Sequence, residues 1–337
     1  MKNKVIFSVL LTLVLLSCQH NHQQEQEYIK NSGRIHGTFY HVTYLQPEGK
    51  NLQTEIEAKM REFELSLSTF NSNSIISRIN NNDDSVIVDE YFETMYHEAV
   101  LVSQNTSGAF DITVAPLVNA WGFGFGNQER KKIPDVNSIL PYIGYHKIRL
   151  ENKKLLKSDK RILLDASAIA KGQSSDIIGK LLEAHGCENY MVEIGGEIAC
   201  KGLNPNGKKW QIGIDRPTEE IFDEQRKLQT ILAISNCGLA TSGNYRQYYY
   251  KDGKKFAHTI NPHTGYPVDH NLLSATVIAA SSMRADAFAT AFMVLGVDSS
   301  LAVCRRIPDI ECYLIYADKA GNYQVSYSEG FEKYFNE

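Results

Sequence analysis

The sequence predicts an α+β fold in one compact unit, with largely antiparallel sheets and flanking helices. Short segments rich in aromatic and β-branched residues alternate with amphipathic segments of helical period, without the regular rhythm of βαβ units. Strand-like segments dominate the region from 190 to 257. No long proline- or serine-rich linker divides the chain after residue 32, so a second independent domain is not expected.

Composition and charge narrow the class of protein. The chain has 337 residues, of which 43% are hydrophobic and 22% charged, as in ordinary globular proteins. These values exclude a coiled coil, a collagen-like fibre and a mainly disordered chain. The formal net charge is −4, from 35 Lys and Arg against 39 Asp and Glu. Without a basic excess, nucleic-acid binding through phosphate neutralisation is not expected.

The first residues predict export. A short basic start precedes an apolar run over 5–16, which is shorter than the roughly 20 residues that a spanning helix needs. The run ends at Leu-Leu-Ser-Cys18, which resembles a bacterial lipobox. We therefore predict a signal peptide over 1–17, a lipid anchor on Cys18 in the cell envelope facing the periplasm, a flexible tether over 18–32 and the folded domain over 33–337. The alternative is an ordinary signal peptide with a chance cysteine.

The elements of the first half follow from periodicity and capping residues. A strand is predicted over 37–45, where aromatic and β-branched residues predominate. Helical spacing of apolar residues predicts a helix over 51–67 and another over 89–106, the second capped by Asp89. A short strand over 161–164 is expected to lead into a helix over 167–185.

The second half is predicted to be mostly strands. One helix of small residues is expected over 281–295. The predicted strands cover 190–194, 210–215, 229–235, 245–250, 271–280, 313–317 and 323–327.

The cysteines carry no recognisable metal or redox motif. No CxxC pair is present, so zinc-ribbon and thioredoxin-like folds have no support. Because their neighbours in the sequence are apolar, Cys200, Cys237, Cys304 and Cys312 are expected to be thiols in the core. One disulfide is the alternative.

The segment 163–172, LLDASAIAKG, could bind an anion. A strand is expected to deliver Asp165 to a turn just before a helix, whose N-terminal amides and partial positive charge suit phosphate. Lys171 adds a full positive charge nearby. The structural alternatives are a helix N-cap for Asp165 and a solvated surface position for Lys171.

A second segment could hold a cation. Asp286 and Thr290 are four residues apart and share one face of the predicted helix. A carboxylate and a hydroxyl on that face offer oxygen ligands to a hard cation such as Mg²⁺. Close packing of a small-residue helix is the alternative.

A third segment, AHTINPHTGYP over 257–267, could hold a histidine in a fixed pose. Its Asn-Pro and Gly-x-Pro sequences predict a rigid turn after His258, which would suit proton transfer near neutral pH. A structural histidine is the alternative for His258. His263 is expected to be exposed at the tip of the turn.

Three further segments could form binding walls or ordinary turns, namely 107–111, 193–197 and 240–246. The glycine-aromatic run over 122–126 lacks the spacing of a dinucleotide fingerprint. GxSxG, HExxH and Walker A sequences are absent, which weakens hydrolase, zincin and P-loop hypotheses.

Taken in order, these segments resemble the ApbE family of FAD:protein FMN transferases. The resemblance runs from about 37 to 296, and the blocks AHTINPHTGYP and ADAFATA are its most specific parts. The other matching blocks are HGTFYHVTY (36–44), LSTFNSNSIISRIN (67–80), GAFDITVAPLVNAWGFG (108–124), LLDASAIAKG (163–172), EIGGEIACKGLNP (193–205), KKWQIGIDRP (208–217) and ATSGNYRQYY (240–249).

This resemblance implies a T-fold-like α+β domain in which FAD is the substrate. A Thr or Ser hydroxyl of an acceptor protein would receive FMN through a phosphoester, and AMP would leave. It implies Mg²⁺ bound by Asp286, Thr290 and the Ala168 carbonyl, with His258 as base or orienting group. The residues that would contact FAD are His36, Phe70, Ala109, Phe110, Asp111, Asp165, Lys171 and Ile260. Arg246 is added as a further candidate at the phosphates.

The chain departs from the family pattern at a few positions. Family members usually carry Met where His36 stands, and an aromatic residue where Gln173 follows Lys-Gly. Glycines often stand in place of Ala166 and Ser167.

Acceptors in the family are typically membrane redox subunits of the Nqr and Rnf type with the motif Asp-x-x-Thr/Ser-Gly-Ala-Thr. The chain's own segment 106–110 has Phe110 at the acceptor position, so modification of a partner is expected rather than of itself.

Two other functions remain open at this point. An FAD pyrophosphatase would use the same phosphate and metal machinery, with water in place of the protein hydroxyl. A flavin-binding lipoprotein without turnover would bind FAD and release no AMP.

Overall fold

The computed structural model describes residues 27–125, 133–217, 227–244, 248–251 and 253–336. The predicted signal peptide and Cys18 lie outside these residues, as does Arg246.

Fourteen strands and eight α-helices make up the described part of the chain. The strands are β1 (Ile29–Ile35), β2 (Thr38–Leu45), β3 (Ile148–Glu151), β4 (Lys154–Lys157), β5 (Asn189–Ile194), β6 (Glu197–Lys201), β7 (Trp210–Asp215), β8 (Leu228–Ile234), β9 (Cys237–Gly243), β10 (Tyr248–Lys251), β11 (Lys254–Ala257), β12 (Leu272–Ala279), β13 (Ile310–Ala317) and β14 (Tyr323–Tyr327). The helices are α1 (Gln53–Leu67), α2 (Ile75–Asn80), α3 (Glu90–Asn105), α4 (Ala115–Ala120), α5 (Val136–Ile139), α6 (Ala170–Ala184), α7 (Ser282–Leu295) and α8 (Val297–Arg306).

Eight strands form the main sheet in the order β1-β2-β5-β6-β9-β12-β13-β14, and every neighbouring pair is antiparallel. The pairs β3–β4, β7–β8 and β10–β11 form separate two-stranded sheets. The predicted α+β class with antiparallel sheets is therefore confirmed.

Both faces of the main sheet are covered. On β12, Val277 belongs to the core shared with α1, α3 and α7, whereas Ile278 belongs to the core shared with β7 and β8. Leu314 and Ile315 on β13 divide between the two cores in the same way. Side chains alternate across a strand, so a strand covered on both faces is apolar throughout. This explains the nearly continuous apolar sequence of β12.

Helix α7 can pack at the centre of the molecule because many of its side chains are small. Ala285, Ala287 and Ala289 are fully buried. A Cβ at Gly172 on α6 would stand 2.3 Å from the Ser282 carbonyl oxygen. The backbones of α6 and α7 therefore touch at this glycine, which fixes the first turn of one helix against the other.

Most predicted elements are confirmed within a few residues at their ends. The helices predicted over 51–67, 89–106 and 281–295 correspond to α1, α3 and α7. Asp89 is the N-cap of α3 and accepts the Phe92 N–H at 2.9 Å, as its position predicted.

Other predicted elements and bounds are corrected by the structure. The predicted tether over 18–32 extends too far, because β1 begins at Ile29 and pairs with Tyr44 of β2. The segment 161–164 is not a strand and forms a single bridge, from Leu163 to Val114.

The helix after that segment begins at Ala170 rather than at residue 167. Asp165 Oδ1 accepts the Ser167 N–H at 2.8 Å, and this local turn replaces the first helical turn. The strands β1, β3, β4, β6, β9 and β11 and the helices α2, α5 and α8 were not predicted.

The five described cysteines are free thiols, and Cys200 lies opposite Cys237 across β6 and β9. Among the described residues, no helix combines the length and apolar character needed to cross a bilayer.

Candidate active site

A cavity of about 940 Å³ lies where the β5–β6 turn, the end of β9 and the edge of β7 meet α6 and α7. It gathers most of the predicted site residues from distant parts of the chain. Those that line it are Ala109, Phe110, Asp111, Asp165, Ala168, Lys171, His258, Ile260, Asp286 and Thr290.

The structure does not bring His36 or Phe70 into this lining. His36 instead lies between two helices, with Nδ1 3.1 Å from Glu64 Oε1 on α1 and Nε2 3.0 Å from Ser174 Oγ on α6. Phe70 lies between α1 and α2 with 86% of its surface exposed. Arg246 lies outside the described residues, so its role stays a prediction.

Helix α7 presents Asp286 and Thr290 to the cavity. Asp286 is 3% exposed, and its Oδ2 accepts the Gly172 N–H at 3.1 Å. Thr290 Oγ1 lies 3.2 Å from Ser242 Oγ at the end of β9. Burial raises the pKa of the Asp286 carboxyl, whereas Lys171 and the Gly172 amide oppose that shift.

Lys171 lies between two buried carboxylates. Its Nζ is 2.6 Å from Glu197 Oε1 and 4.0 Å from Asp286 Oδ2. Burial raises the pKa of Glu197 to about 7, and the Lys171 ammonium opposes this shift. Burial disfavours the charge on Lys171, but the two carboxylates outweigh that effect and raise the pKa of the amine.

In the turn before α6, the backbone carbonyl of Ala168 is available to bind a ligand. The Ala170 N–H donates to the Ala166 carbonyl at 2.8 Å, and the Gln173 N–H donates to the Ile169 carbonyl at 3.1 Å. The Gly172 N–H is directed to Asp286, and no hydrogen bond among the described residues uses the Ala168 carbonyl. Its lone pairs are therefore available to a ligand at the cavity.

The donor set fits a hard divalent cation. A carboxylate, a hydroxyl and a backbone carbonyl are oxygen ligands of the kind that Mg²⁺ prefers, and Asp286, Thr290 and Ala168 place them on one cavity. The described residues contain no group of three or more His, Cys, Asp or Glu that could hold a metal ion. The predicted set does not conflict with this finding, because Asp286 is its only such side chain.

The cavity is lined by more acidic than basic side chains, which disfavours an anionic ligand. Lys171 is the one Lys or Arg among the described lining residues. The lining carboxylates are Asp111, Asp165, Glu193, Glu197, Asp215 and Asp286. A diphosphate would need more positive charge than this lysine supplies, and a bound divalent cation would provide it.

Asp111 uses both of its oxygens to hold the wall of the cavity. Oδ1 accepts the Thr113 N–H at 2.8 Å and the Thr113 hydroxyl at 2.7 Å, and Oδ2 accepts the Tyr145 N–H at 2.7 Å. Burial raises the pKa of this carboxyl, and the same hydrogen bonds oppose the shift. Asp111 thus shapes the loop that carries Ala109 and Phe110.

His258 is half-buried at the cavity, directly before the predicted turn. Asn261 Oδ1 accepts the His263 N–H at 2.9 Å, and Trp121 Nε1 donates to the Gly265 carbonyl at 2.8 Å. The adjacent Thr259 hydroxyl donates to Asn244 Oδ1 at 2.7 Å. These bonds fix the backbone on both sides of the predicted turn, and His258 directly precedes it at the cavity. His263 is exposed, as expected.

Parts of the three predicted walls also line the cavity. Gly195 and Gly196 form the two-residue β5–β6 turn, with φ of +66° and +104° that favour glycine. The end of β9 contributes Thr241 and Ser242.

Sequence reasoning missed two features of the site, the β7 edge over 211–215 and the Lys171–Glu197 pair. A glutamate after Gly-Gly was visible in the sequence, but nothing there indicated its partner.

Comparison with known proteins supplies independent information. A model of the ApbE family matches residues 36–314. The FAD:protein FMN transferase of Haemophilus influenzae is 37% identical in an alignment of length 342 that covers 97% of this chain and 96% of that protein. The solved flavin transferase ApbE from Vibrio cholerae has a TM-score of 0.82 at 34% identity, covering 92% of this chain and 99% of its own. The apo Pseudomonas stutzeri flavinyl transferase ApbE has a TM-score of 0.81 at 30% identity, covering 92% and 97%.

Proposed function

The chain belongs to the ApbE family, and from that membership we propose that it transfers the FMN moiety of FAD to a hydroxyl of an acceptor protein and releases AMP. The observation that carries the proposal is the cavity in which His258, Lys171 and the buried Asp286 meet. Transfer from a flavin dinucleotide needs a base, positive charge at the pyrophosphate and a cavity that encloses the substrate. The cavity and these residues supply them.

The transfer breaks the phosphoanhydride bond of FAD and forms a phosphoester bond to the acceptor. The acceptor Thr or Ser oxygen attacks the phosphorus on the FMN side of FAD and forms a phosphoester. The bond from that phosphorus to the bridging oxygen breaks, and the electron pair leaves with AMP. His258 takes the hydroxyl proton, because it is the imidazole that the rigid turn presents to the cavity.

Lys171 has the second role, at the phosphates. Its ammonium is anchored in the first turn of α6 and points to the region shared with Asp286. A positive charge there favours the pyrophosphate and the negative charge that develops on the departing AMP.

Asp286, Thr290 and the Ala168 carbonyl would hold Mg²⁺. Such an ion would neutralise pyrophosphate charge and polarise the phosphorus. The support is the all-oxygen donor set, the unused Ala168 carbonyl and the acidity of the cavity.

Two finer points of the proposal rest on the sequence. The acceptors would be membrane redox subunits of the Nqr and Rnf type, with the motif Asp-x-x-Thr/Ser-Gly-Ala-Thr. Phe110 stands at the acceptor position of the chain's own related segment, and it is 2% exposed, which supports modification of a partner. The pattern ending at Cys18 supports a lipid anchor in the cell envelope, with the domain facing the periplasm.

The test combines AMP release with the mass of the acceptor. The full-length chain in detergent is mixed with FAD, Mg²⁺ and an acceptor domain that carries the threonine motif. We expect AMP together with an FMN-sized mass gain on the acceptor. Asp286→Ala is the control in which both should disappear.

The other outcomes separate the competing functions. AMP with free FMN and an unmodified acceptor would indicate the pyrophosphatase. FAD binding without AMP would indicate a flavin-binding protein that does not turn over.

A further inference from the structure

The Lys171 ammonium has two buried carboxylates within reach and is closer to one of them. Glu197 Oε1 is at 2.6 Å, a full hydrogen-bonded ion pair, whereas Asp286 Oδ2 is at 4.0 Å. Glu197 and Asp286 are 4% and 3% exposed, so water screens neither of them well. The lysine is thus held by Glu197 and only faces Asp286.

This separation matters to Asp286. An ammonium that moved about 1 Å closer would form a charge-assisted hydrogen bond with the same Oδ2 that accepts the Gly172 N–H. Because charges interact more strongly as they approach in a poorly screened site, that pair would stabilise Asp286 without a metal. A divalent cation would then have to displace the lysine.

The backbone fixes Glu197 in the position that holds the lysine. The β5–β6 turn requires positive φ at Gly195 and Gly196, and Glu197 is the next residue. The Ser175 hydroxyl of α6 donates to the Glu197 carbonyl at 3.0 Å and ties this residue to the helix that carries Lys171.

Burial of one oxygen of Glu197 also destabilises the folded state. Its Oε2 is buried and has no hydrogen-bond partner among the described residues. A buried polar oxygen without a donor destabilises the folded state. The contact that the Glu197 carboxylate does make is the one from Oε1 to the Lys171 ammonium.

We propose that Glu197 is a positioning residue that holds the Lys171 ammonium away from Asp286, so that the Asp286 carboxylate can accept a divalent cation. This inference rests on the proposed function, in which Asp286 is a metal ligand. Glu197 contacts neither the metal nor FAD in this role and acts through Lys171.

The test measures binding of Mn²⁺ alone to the full-length chain, without FAD, by electron paramagnetic resonance. Glu197→Gln keeps the side-chain shape and removes the charge, and we expect the Mn²⁺ Kd to rise at least tenfold. In a Lys171→Met background the same substitution should change the Kd less than threefold, because no ammonium remains to compete. Glu197→Asp, which withdraws the carboxylate by one methylene, should also weaken binding and serves if Glu197→Gln does not fold.

Glu193→Gln is the matched control. This carboxylate lines the same cavity on the preceding strand but pairs with His41 at 2.6 Å. Its substitution should leave the Kd within about twofold, which separates positioning of Lys171 from a general loss of negative charge.

Three results would overturn the inference. The first is an unchanged Kd in both folded Glu197 variants, and the second is an equal loss of affinity with and without Lys171. In both cases the metal site itself stands. The third is a wild-type chain that binds no Mn²⁺, which removes the metal site of the proposed function together with this inference.

Discussion

The Gly172 N–H donates a 3.1 Å hydrogen bond to Asp286 Oδ2, so the first turn of α6 holds the buried carboxylate of α7. The bond is available because Gly172 lets the two backbones touch. It joins two of the chemical segments of the chain, 163–172 and 285–291, which lie more than a hundred residues apart.

Gly172→Ala should separate α6 from α7. The new Cβ would meet the Ser282 carbonyl oxygen at 2.3 Å and Met283 Cα at 2.8 Å, and backbone atoms cannot move aside cheaply. We expect a loss of about 1–3 kcal/mol in the free energy of unfolding, measured by urea denaturation.

Gly179→Ala on the same helix is its control. There the new Cβ would meet the Tyr190 hydroxyl oxygen at 2.9 Å, a side-chain atom that can shift. A smaller loss is expected at this position. An equal loss in both variants would contradict the backbone contact as the cause.

Asp286→Asn should abolish the metal-dependent release of AMP while the fold persists. The amide oxygen can still accept the Gly172 N–H, but the charge that attracts a cation is gone. We expect AMP release from FAD to fall on the order of a hundredfold or more, since several kcal/mol of charge stabilisation are lost.

Metal removal gives the companion measurement. EDTA should stop AMP release by the wild-type chain, and added Mg²⁺ should restore it. Wild-type activity that survives EDTA treatment would contradict the assigned role of Asp286.

His258→Gln should slow transfer without preventing FAD binding. Loss of a general base costs typically about 10²–10⁴-fold in rate. Asn261 Oδ1 and Trp121 Nε1 hold the turn through hydrogen bonds that the substitution leaves in place, so the turn should keep its shape. The single-turnover rate of AMP release and the FAD Kd are measured together. A normal rate would remove His258 from the mechanism.

His36→Met should make the stability less sensitive to acid. Burial lowers the pKa of His36, with Glu64 opposing the shift and Lys171 adding to it. Below the unfolded value of about 6.5, the unfolded chain therefore binds more protons than the folded chain, and stability falls as the pH falls.

Melting temperatures between pH 8 and pH 5 test this prediction. The wild-type chain should lose more over this range than His36→Met, because other titrating groups are common to both. At pH 8 the variant should be the less stable, since Glu64 and Ser174 lose their partner. His263→Met, which removes an exposed imidazole, should follow the wild-type profile.

Much of the fold was predictable where a segment was long and its period clear. Helices α1 and α3 show regular apolar spacing, Asp89 marks the start of α3, and α7 is a long run of mostly small or apolar residues. The strands β6 and β9 escaped prediction because charged residues end the five-residue β6 and because glycines and small polar residues make up most of β9. Their strand conformation comes from neighbours on both sides in the sheet, which local propensity does not encode.

The residues of the site also differ in how far the sequence alone could place them. Asp286 with Thr290 and Asp165 with Lys171 are close in sequence, so helix and turn geometry alone could group them. The expected place of His36 at FAD had no such local basis, and the structure directs that ring to Glu64 and Ser174 instead.

The sequence by itself determined the α+β class, the order of the chemical segments and the family to which they point. These depend on local period, turn residues and motif order, all of which are readable along the chain. Only the tertiary structure decided that Lys171 pairs with Glu197 and stands back from Asp286. These three residues lie on different elements, and the distances between them depend on how a helix crosses a helix and where a hairpin ends. Such distances are set by packing across the core and not by spacing in the sequence.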